Sequence, residues 1–186
     1  MTSPNDTYTS PLAERNASPE MLRLWSPRHK FNTWRRIWLA VAEAQHEISA
    51  GWGGTAGITG ITGAASAGPL VTREQVEELR AVVERQNPDG SVGITDAEIE
   101  LAKKYERELR HDVMSHVHAL GDACPKARGI IHLGMTSQDV VCNADLLILY
   151  DAAVLLATKI AASIVALSEQ AKQSAAIPTL GFTHYQ

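Results

Sequence analysis

The apolar residues between Asp139 and Pro178 constrain the fold of this 186-residue chain more than any other feature. They recur every three or four positions, which is the spacing of one face of an α-helix. The repeat consists of Leu149, Ala153, Leu156, Ile160, Ile164 and Leu167. Such a seam is typical of a helix that packs in a bundle. We therefore predict a long helix over about 139–176 that ends before Pro178.

Three helix-start signals precede this long helix. They are Ser26 followed by Pro27, Thr72 with Gln75, and Thr95 with Glu98. The first has a cap and a proline at the first helical position, and the other two have capping-box spacing. No alternating strand pattern occurs beyond the short GIIHL stretch. The predicted fold class is all-α, with an N-terminal helical domain over 1–135 and the start of a truncated central helical bundle over 136–186.

Two further stretches define the N-terminal domain. The helix after Pro27 carries an apolar stripe that we predict to be aromatic core rather than a binding box. The stripe comprises Phe31, Trp34, Trp38, Val41, Ala42 and Ile48. Residues 51–68 hold seven of the chain's 13 glycines. We predict a flexible insertion over 51–70, because a phosphate-binding loop would need the GxxxxGK[ST] pattern, which this stretch does not have.

Composition excludes several classes of function. The net charge is −4 and no basic stripe occurs, which argues against nucleic acid as a partner. Cys124 and Cys142 form no CxxC pair, which favours free thiols in a reducing compartment. The N-terminus has no secretory pattern, and Ala152 to Leu167 is interrupted by Lys159 and short for a bilayer. We therefore expect a cytoplasmic protein with no membrane partner.

Three histidines lie close together in the sequence ELRHDVMSHVHALG. In one straight helix His111 and His118 would share a face but lie roughly 10 Å apart along the axis. A metal held by one helix needs ligands three or four positions apart, and no pair has this spacing. We predict no metal site. His116 is interpreted as a packed, hydrogen-bonded core residue, and His118 as a solvated or supporting residue.

Two helix starts are candidate anion sites. Asp112 can cap a helix that begins at Val113, which would place His111 beside exposed backbone N–H groups. Thr136 and Ser137 fall just before the long helix, where their hydroxyls could hold a carboxylate. The alternatives are a charged surface for the RHD triplet and an ordinary Ser/Thr cap for the second start. Both alternatives remain open from the residues alone.

Four segments together resemble the adenylosuccinate lyase family. They read SPEM, KFNTWRRIWLAVAEAQ, RHDVMSHVHALGDACPKARGIIHLGMTSQDV and TLGFTHYQ. The resemblance covers nearly the whole chain except its extreme N-terminus and residues 51–68. Argininosuccinate lyases tend to have a TGRSRND-like stretch in place of LGMTSQD, and fumarases a GTxxNMN-like one. The family belongs to the fumarase/aspartase superfamily of all-helical homotetramers.

The resemblance implies a carbon–nitrogen lyase of purine biosynthesis. The family releases fumarate from adenylosuccinate to leave AMP, and from SAICAR to leave AICAR, without a cofactor or a metal. A base removes a proton from the carbon next to a succinyl carboxylate, and a general acid protonates the departing nitrogen. The implied partners are a purine nucleotide substrate and other copies of the chain in a homotetramer.

Site residues follow from the resemblance position by position. His184 resembles the general acid, and Thr136 with Ser137 resembles the pair that holds the carboxylate. Arg110, His111 and Asp112 resemble the RHD substrate contacts, with His111 orienting the reacting end. Arg15 resembles an arginine that binds the nucleotide phosphate, although the family's RY pair is Arg15–Asn16 here, so that a tyrosine contact is replaced.

The resemblance also implies a catalytic serine on an SSxMPxKxNP-like loop, which would lie beyond Gln186. We therefore expect the N-terminal portion of a lyase that is inactive alone. An alternative is a non-catalytic truncated paralogue or splice form that binds nucleotide or the full-length enzyme. A generic helical scaffold is a third interpretation, but it would leave the RHD, TSQD and THYQ motifs as coincidence.

Overall fold

A computed structural model describes residues 6, 8, 10–51 and 69–181. Within these ranges the chain forms helices and no strand, which confirms the predicted all-α class. The helices are α1 (Pro11–Asn16), α2 (Pro19–Leu24), α3 (Pro27–Gly51), α4 (Arg73–Val83), α5 (Asp96–Leu109), α6 (Asp112–Ala123) and α7 (Ser137–Ser174). Nearly all of the glycine-rich stretch and the residues from 182 onwards, including His184, lie outside the described residues.

The predicted helix starts are confirmed by their caps. The hydroxyl of Ser26 accepts a hydrogen bond from a first-turn backbone N–H of α3 at 3.2 Å. Thr72 with Gln75 and Thr95 with Glu98 both form reciprocal capping boxes. Each box satisfies two backbone N–H groups that have no partner within their own helix. Local sequence therefore determines where α3, α4 and α5 begin.

Helix α4 ends at Val83, four residues before the sequence NPDG at 87–90. The backbone between α4 and α5 turns at 87–91, where Gly90 donates to the carbonyl oxygen of Asn87 at 2.9 Å. Gly93 follows with φ +77°, and a Cβ atom there would lie 2.9 Å from the carbonyl oxygen of Val83. Only glycine allows the backbone at position 93 to lie this close to the end of α4, because any side chain would displace one of them.

Side chains from α3, α4, α6 and the first turns of α7 form one core. Helix α3 packs against α4, and α5 packs against α6. The core includes Trp34, Trp38, Ala42, Val76, Leu79, Val83, Val113, Val117, Leu120, Ile130, Ile131, Val140 and Ala144. The aromatic stripe predicted on α3 is thus confirmed as core, and the two tryptophans are among the largest fully buried side chains.

Ile48 was predicted to lie on this stripe, and that prediction was wrong. Its side chain is 53% exposed, whereas Trp34, Trp38 and Ala42 are buried. At 100° per residue the buried arc runs from Trp34 through Trp38 to Ala42, and Ile48 lies about 40° beyond Trp34 on the other side. Ser49 occupies the buried arc in its place.

A buried ionic network joins α3 to the start of α5. Arg35 on α3 is 1% exposed and lies 3.4 Å from a carboxylate oxygen of Glu98. The same oxygen accepts from Arg85 at 2.6 Å and from the backbone N–H of Thr95 at 2.8 Å. Burial alone would raise the pKa of Glu98, yet the charges of Arg35 and Arg85 and the hydrogen bonds from Thr95 leave that pKa lowered. The carboxylate therefore stays charged and compensates Arg35.

The chain divides into two compact units, Met1–Ile148 and Leu149–Gln186. The domain boundary predicted at residue 136 stays a prediction. In the second unit the predicted apolar seam of α7 is confirmed as helical, and most of its large side chains are exposed. By length and composition alone, α7 could cross a membrane. The shorter stretch from Ala152 to Leu167 was predicted to be too short to do so. A helix from the core of a soluble protein passes the same test.

Candidate functional site

The RHD triplet is the break between α5 and α6. Arg110 closes α5 in the left-handed region, with φ 52° and ψ 38°. His111 is extended and caps α6, which begins at Asp112. The predicted cap was therefore one residue late, because His111 is the N-cap and its imidazole accepts from the backbone N–H of Met114. Asp112 still accepts from the N–H of Val113 at 2.7 Å.

The break brings His111 to the start of α7. The Nε2 atom of His111 lies 3.3 Å from the hydroxyl oxygen of Ser137, the first residue of that helix. Two of the predicted site residues, far apart in sequence, are thus in contact. Both helix N-termini bring the positive end of the helix dipole to this place, while the caps already bond the N–H groups of Val113, Met114 and Gln138. The arrangement is chemically suited to an anion.

The hydrogen bonds indicate which nitrogen of His111 carries the proton. The backbone N–H of Met114 points to Nδ1 of His111 at 3.4 Å, and a backbone N–H can only donate. Nδ1 is therefore the acceptor, and the neutral ring carries its proton on Nε2. That N–H donates to Ser137, whose own hydroxyl hydrogen is then available for a carboxylate oxygen.

Thr136 caps α7, and both of its contacts below are with the first turn of that helix. Its hydroxyl oxygen accepts from the N–H of Gln138 at 3.2 Å. Its backbone N–H donates to the carboxylate of Asp139 at 2.7 Å. The sequence suggested that Ser137 lies just before the helix, but it is the first residue within it. The ordinary-cap alternative is thus confirmed for Thr136, and its role in carboxylate binding stays a prediction.

His132 is a residue that the sequence analysis did not single out. It has φ +67°, one of two left-handed non-glycine residues in the described chain. Its Nδ1 accepts from the indole N–H of Trp38 at 3.1 Å. Burial lowers the pKa of His132, the charge of Asp139 raises it, and that of His111 lowers it further. The signal in the sequence was its position four residues before Thr136, in the loop that leads to α7.

The other two histidines of the cluster lie apart from the His111–Ser137 contact. His116 is buried and stacks on Phe31 with 3.8 Å between ring centroids, which confirms its predicted packing. His118 is half-buried; its Nδ1 lies 3.5 Å from the guanidinium of Arg128. Among the described residues, no three His, Cys, Asp or Glu side chains form a group that could hold a metal ion.

The N-terminal candidates are not joined to this contact. Arg15 and Asn16 are the exposed last residues of α1. Across the described ranges, no hydrogen bond or ion pair connects either of them to His111 or Ser137. Asn16 lines an apolar cavity of about 540 Å³ together with Tyr8, Ala13, Met21 and Trp25. His184, the predicted general acid, lies outside the described residues.

Comparison with curated proteins gives a consistent result. The chain is 41% identical over 181 residues to an adenylosuccinate lyase from Saccharomyces cerevisiae. It is 42% identical over 180 residues to one from Schizosaccharomyces pombe, and 35% identical over 181 residues to one from Schistosoma mansoni. The chain is a homologue of adenylosuccinate lyase. Each match covers 97% of this chain.

The homology to adenylosuccinate lyase confirms the resemblance found in the sequence. The chain spans about a third of the length of these relatives, 32% in each case, which is consistent with the predicted N-terminal portion. No family model matches the chain. Adenylosuccinate lyase is a carbon–nitrogen lyase that acts on a purine nucleotide.

Proposed function

We propose that this chain supplies the carboxylate-binding part of an adenylosuccinate lyase active site. The observation that carries the proposal is the 3.3 Å contact between His111 and Ser137, which joins two helix N-termini. In the elimination, the C–N bond breaks, its electron pair leaves with nitrogen, and a C=C bond forms as fumarate. Negative charge develops on the succinyl carboxylate next to the carbon that loses its proton.

The roles of the pair follow from that charge. Ser137 donates its hydroxyl hydrogen to the carboxylate, and Thr136 contributes its hydroxyl beside it. His111 holds Ser137 in the orientation that leaves this hydrogen free, since its Nε2–H already occupies one lone pair of the serine oxygen. Preorganised donors of this kind stabilise developing charge without reorganising during the reaction.

The remaining site residues have proposed roles of their own. His184 is the general acid that protonates the departing nitrogen, because an imidazole can donate near neutral pH. Arg110 and Asp112 contact the substrate on either side of His111. Arg15 binds the nucleotide phosphate and Asn16 takes the place of a tyrosine there. The substrates are adenylosuccinate and SAICAR, and the product is AMP or AICAR with fumarate, in purine biosynthesis.

We also propose that the chain assembles as a homotetramer through α7 and that it works in the cytoplasm. The exposed apolar side chains of α7 from Leu149 to Leu167 support the assembly, because isolated domains rarely leave so continuous a patch uncovered. The buried Cys124 and the exposed Cys142 are both free thiols, which favours a reducing compartment.

Titration of the ¹⁵N-labelled chain with fumarate tests the carboxylate site. We expect fumarate to shift the amide signals at the starts of α6 and α7, and Ser137→Ala to weaken binding about tenfold, as for one hydrogen bond to a charged group. Ser163→Ala is the matched control, since this exposed serine lies on α7 and its hydroxyl, among the described residues, donates to the carbonyl oxygen of Lys159. Shifts spread evenly over the chain, or equal affinities in the two variants, would contradict the proposal.

Fumarate release by the 186-residue chain alone separates catalysis from binding. We expect none from adenylosuccinate, because the family's serine base lies on a loop that these residues do not contain. Release that disappears in His184→Ala would contradict this expectation. Tight binding of AMP by the chain without turnover, or binding of the chain to the full-length enzyme, would favour the alternative of a non-catalytic partner.

A further inference from the structure

Trp38 packs in the core and also makes a hydrogen bond across it. Its side chain is 2% exposed, and its indole N–H donates to Nδ1 of His132 at 3.1 Å. The N–H approaches a ring nitrogen at the edge of the imidazole, and the two rings are nearly perpendicular, at 87°. The contact joins α3 to the loop that leads to α7, across 94 positions of sequence.

The chemistry of indole fixes the direction of this bond. An indole nitrogen can donate but cannot accept, so Nδ1 of His132 must be unprotonated while the contact lasts. The proton of the neutral ring is then on Nε2, at the edge that faces away from Trp38. His132 lies in the turn that leads to α7, where its carbonyl oxygen accepts from the backbone N–H of Met135 at 3.3 Å, two residues before Ser137.

A second contact from the same helix holds the same loop. The side-chain amide of Gln45 donates to the carbonyl oxygen of Leu133 at 2.9 Å. Leu133 directly follows His132, whose left-handed backbone is a conformation that is unfavourable for a non-glycine residue. Such a conformation persists only where its surroundings enforce it, and α3 supplies that enforcement through two named hydrogen bonds.

We propose that Trp38 is a positioning residue that fixes His132 in the Nε2–H tautomer and so adds an N–H donor in the turn that leads to Ser137. This donor is available to a carboxylate of the substrate. This last step rests on the proposed function, whereas the tautomer itself does not. The chain thus holds two imidazoles, His111 and His132, that are both protonated on Nε2 because each accepts an N–H at Nδ1.

The chain provides a matched control one helical turn away. Trp34 is also on α3 and is 1% exposed, and its indole nitrogen has no hydrogen-bond partner in the described part of the chain. Replacing either tryptophan by phenylalanine removes an indole N–H and a similar volume. Only Trp38→Phe removes a bond to histidine, so the comparison separates positioning from packing.

Long-range ¹H–¹⁵N correlation spectra of the labelled chain read the tautomer directly, and His132→Gln identifies the signals. We expect an unprotonated Nδ1 and a protonated Nε2 for His132 in the unaltered chain. In Trp38→Phe we expect a mixture of tautomers and a pKa of His132 that rises toward the ordinary value of about 6.5. Trp34→Phe should leave both unchanged.

Two results would overturn the inference. One is a protonated Nδ1 of His132 in the unaltered chain, which decides the matter even where Trp38→Phe does not fold. The other is a folded Trp38→Phe variant with the tautomer and titration of the unaltered chain. Fumarate affinity is a separate readout, which should fall severalfold in Trp38→Phe and not in Trp34→Phe. Absence of fumarate binding in the unaltered chain would count against the proposed function and leave the tautomer result to decide this inference.

Discussion

His111 Nε2 and Ser137 Oγ lie 3.3 Å apart although 26 positions of sequence separate them. One caps α6 and the other begins α7, so a single hydrogen bond joins the starts of two helices. A shift of His111 would change the orientation of the Ser137 hydroxyl, and a shift of Ser137 would remove the acceptor of the His111 Nε2–H. The pair should therefore act as one unit in binding a carboxylate.

Coupling between the two residues is the first prediction. His111→Asn keeps a good helix cap but is too short to reach Ser137. We expect this change and Ser137→Ala each to weaken fumarate binding about tenfold, and the double variant to weaken it by clearly less than the product. Calorimetric titration of the four proteins measures the coupling. Strictly additive losses would show that the two side chains act independently.

His116 should make stability depend on pH. Burial among aromatic rings, with the charge of Arg35 beside it, lowers the pKa of this histidine from 6.5 to about 3. The unfolded chain therefore binds a proton as the pH falls below 6.5, while the folded chain does not. Stability should fall by up to about 1.4 kcal/mol per pH unit between pH 6.5 and about 3.

Urea unfolding at several pH values measures this slope. His116→Phe keeps a ring to stack on Phe31 and removes the titrating group, so its stability should depend much less on pH above about 4.5, where carboxylates contribute little. His118→Asn changes a half-buried histidine on the same helix and should retain the full slope. Equal slopes in the two variants would exclude His116 as the cause.

Glu98 should be critical for stability. Glu98→Gln leaves the buried Arg35 without a compensating charge, and we expect a loss of roughly 3 kcal/mol, as for breaking a buried ion pair. Glu100→Gln on the same helix removes an exposed pair with Lys103 and should cost less than about 1 kcal/mol. Urea midpoints that fall equally in both variants would contradict the buried network.

The sequence predicted local features better than distant ones. The capping boxes at Thr72 and Thr95 were correct because both partners lie within four residues, where the backbone geometry is fixed. The contact of Trp38 with His132 joins positions 94 residues apart, and no local pattern encodes it. The left-handed turn at Arg110 was also missed, since a non-glycine residue gives no sign of it in sequence.

The candidate site was predicted in part for the same reason. Motif resemblance named His111 and Ser137, and their contact followed only from the fold. Residue type alone placed the cap of α6 one residue late, because a histidine is an unusual cap and an aspartate a common one. His132 carried no motif role in the sequence, and its importance follows from a backbone conformation and a partner on α3.

Helix α7 should make the chain self-associate. Leu156 and Ile160 are about half exposed on its apolar seam. We expect sedimentation velocity to show assembly that weakens on dilution, and Leu156→Glu with Ile160→Glu to give a monomer. Thr158→Glu with Gln173→Glu adds the same charge to exposed positions on the opposite side of the helix from the seam and should leave assembly intact. A monomer at all concentrations in the unaltered chain would contradict the prediction.

The bond between Trp38 and His132 gives the protein an internal optical reporter. An imidazole in contact with an indole quenches its fluorescence more strongly once it becomes protonated. Emission from Trp38 should therefore report the charge on His132 without any added dye. The second buried tryptophan, Trp34, lies against His116 with 5.5 Å between ring centroids, so Trp34→Phe would remove the emission that reports a different histidine.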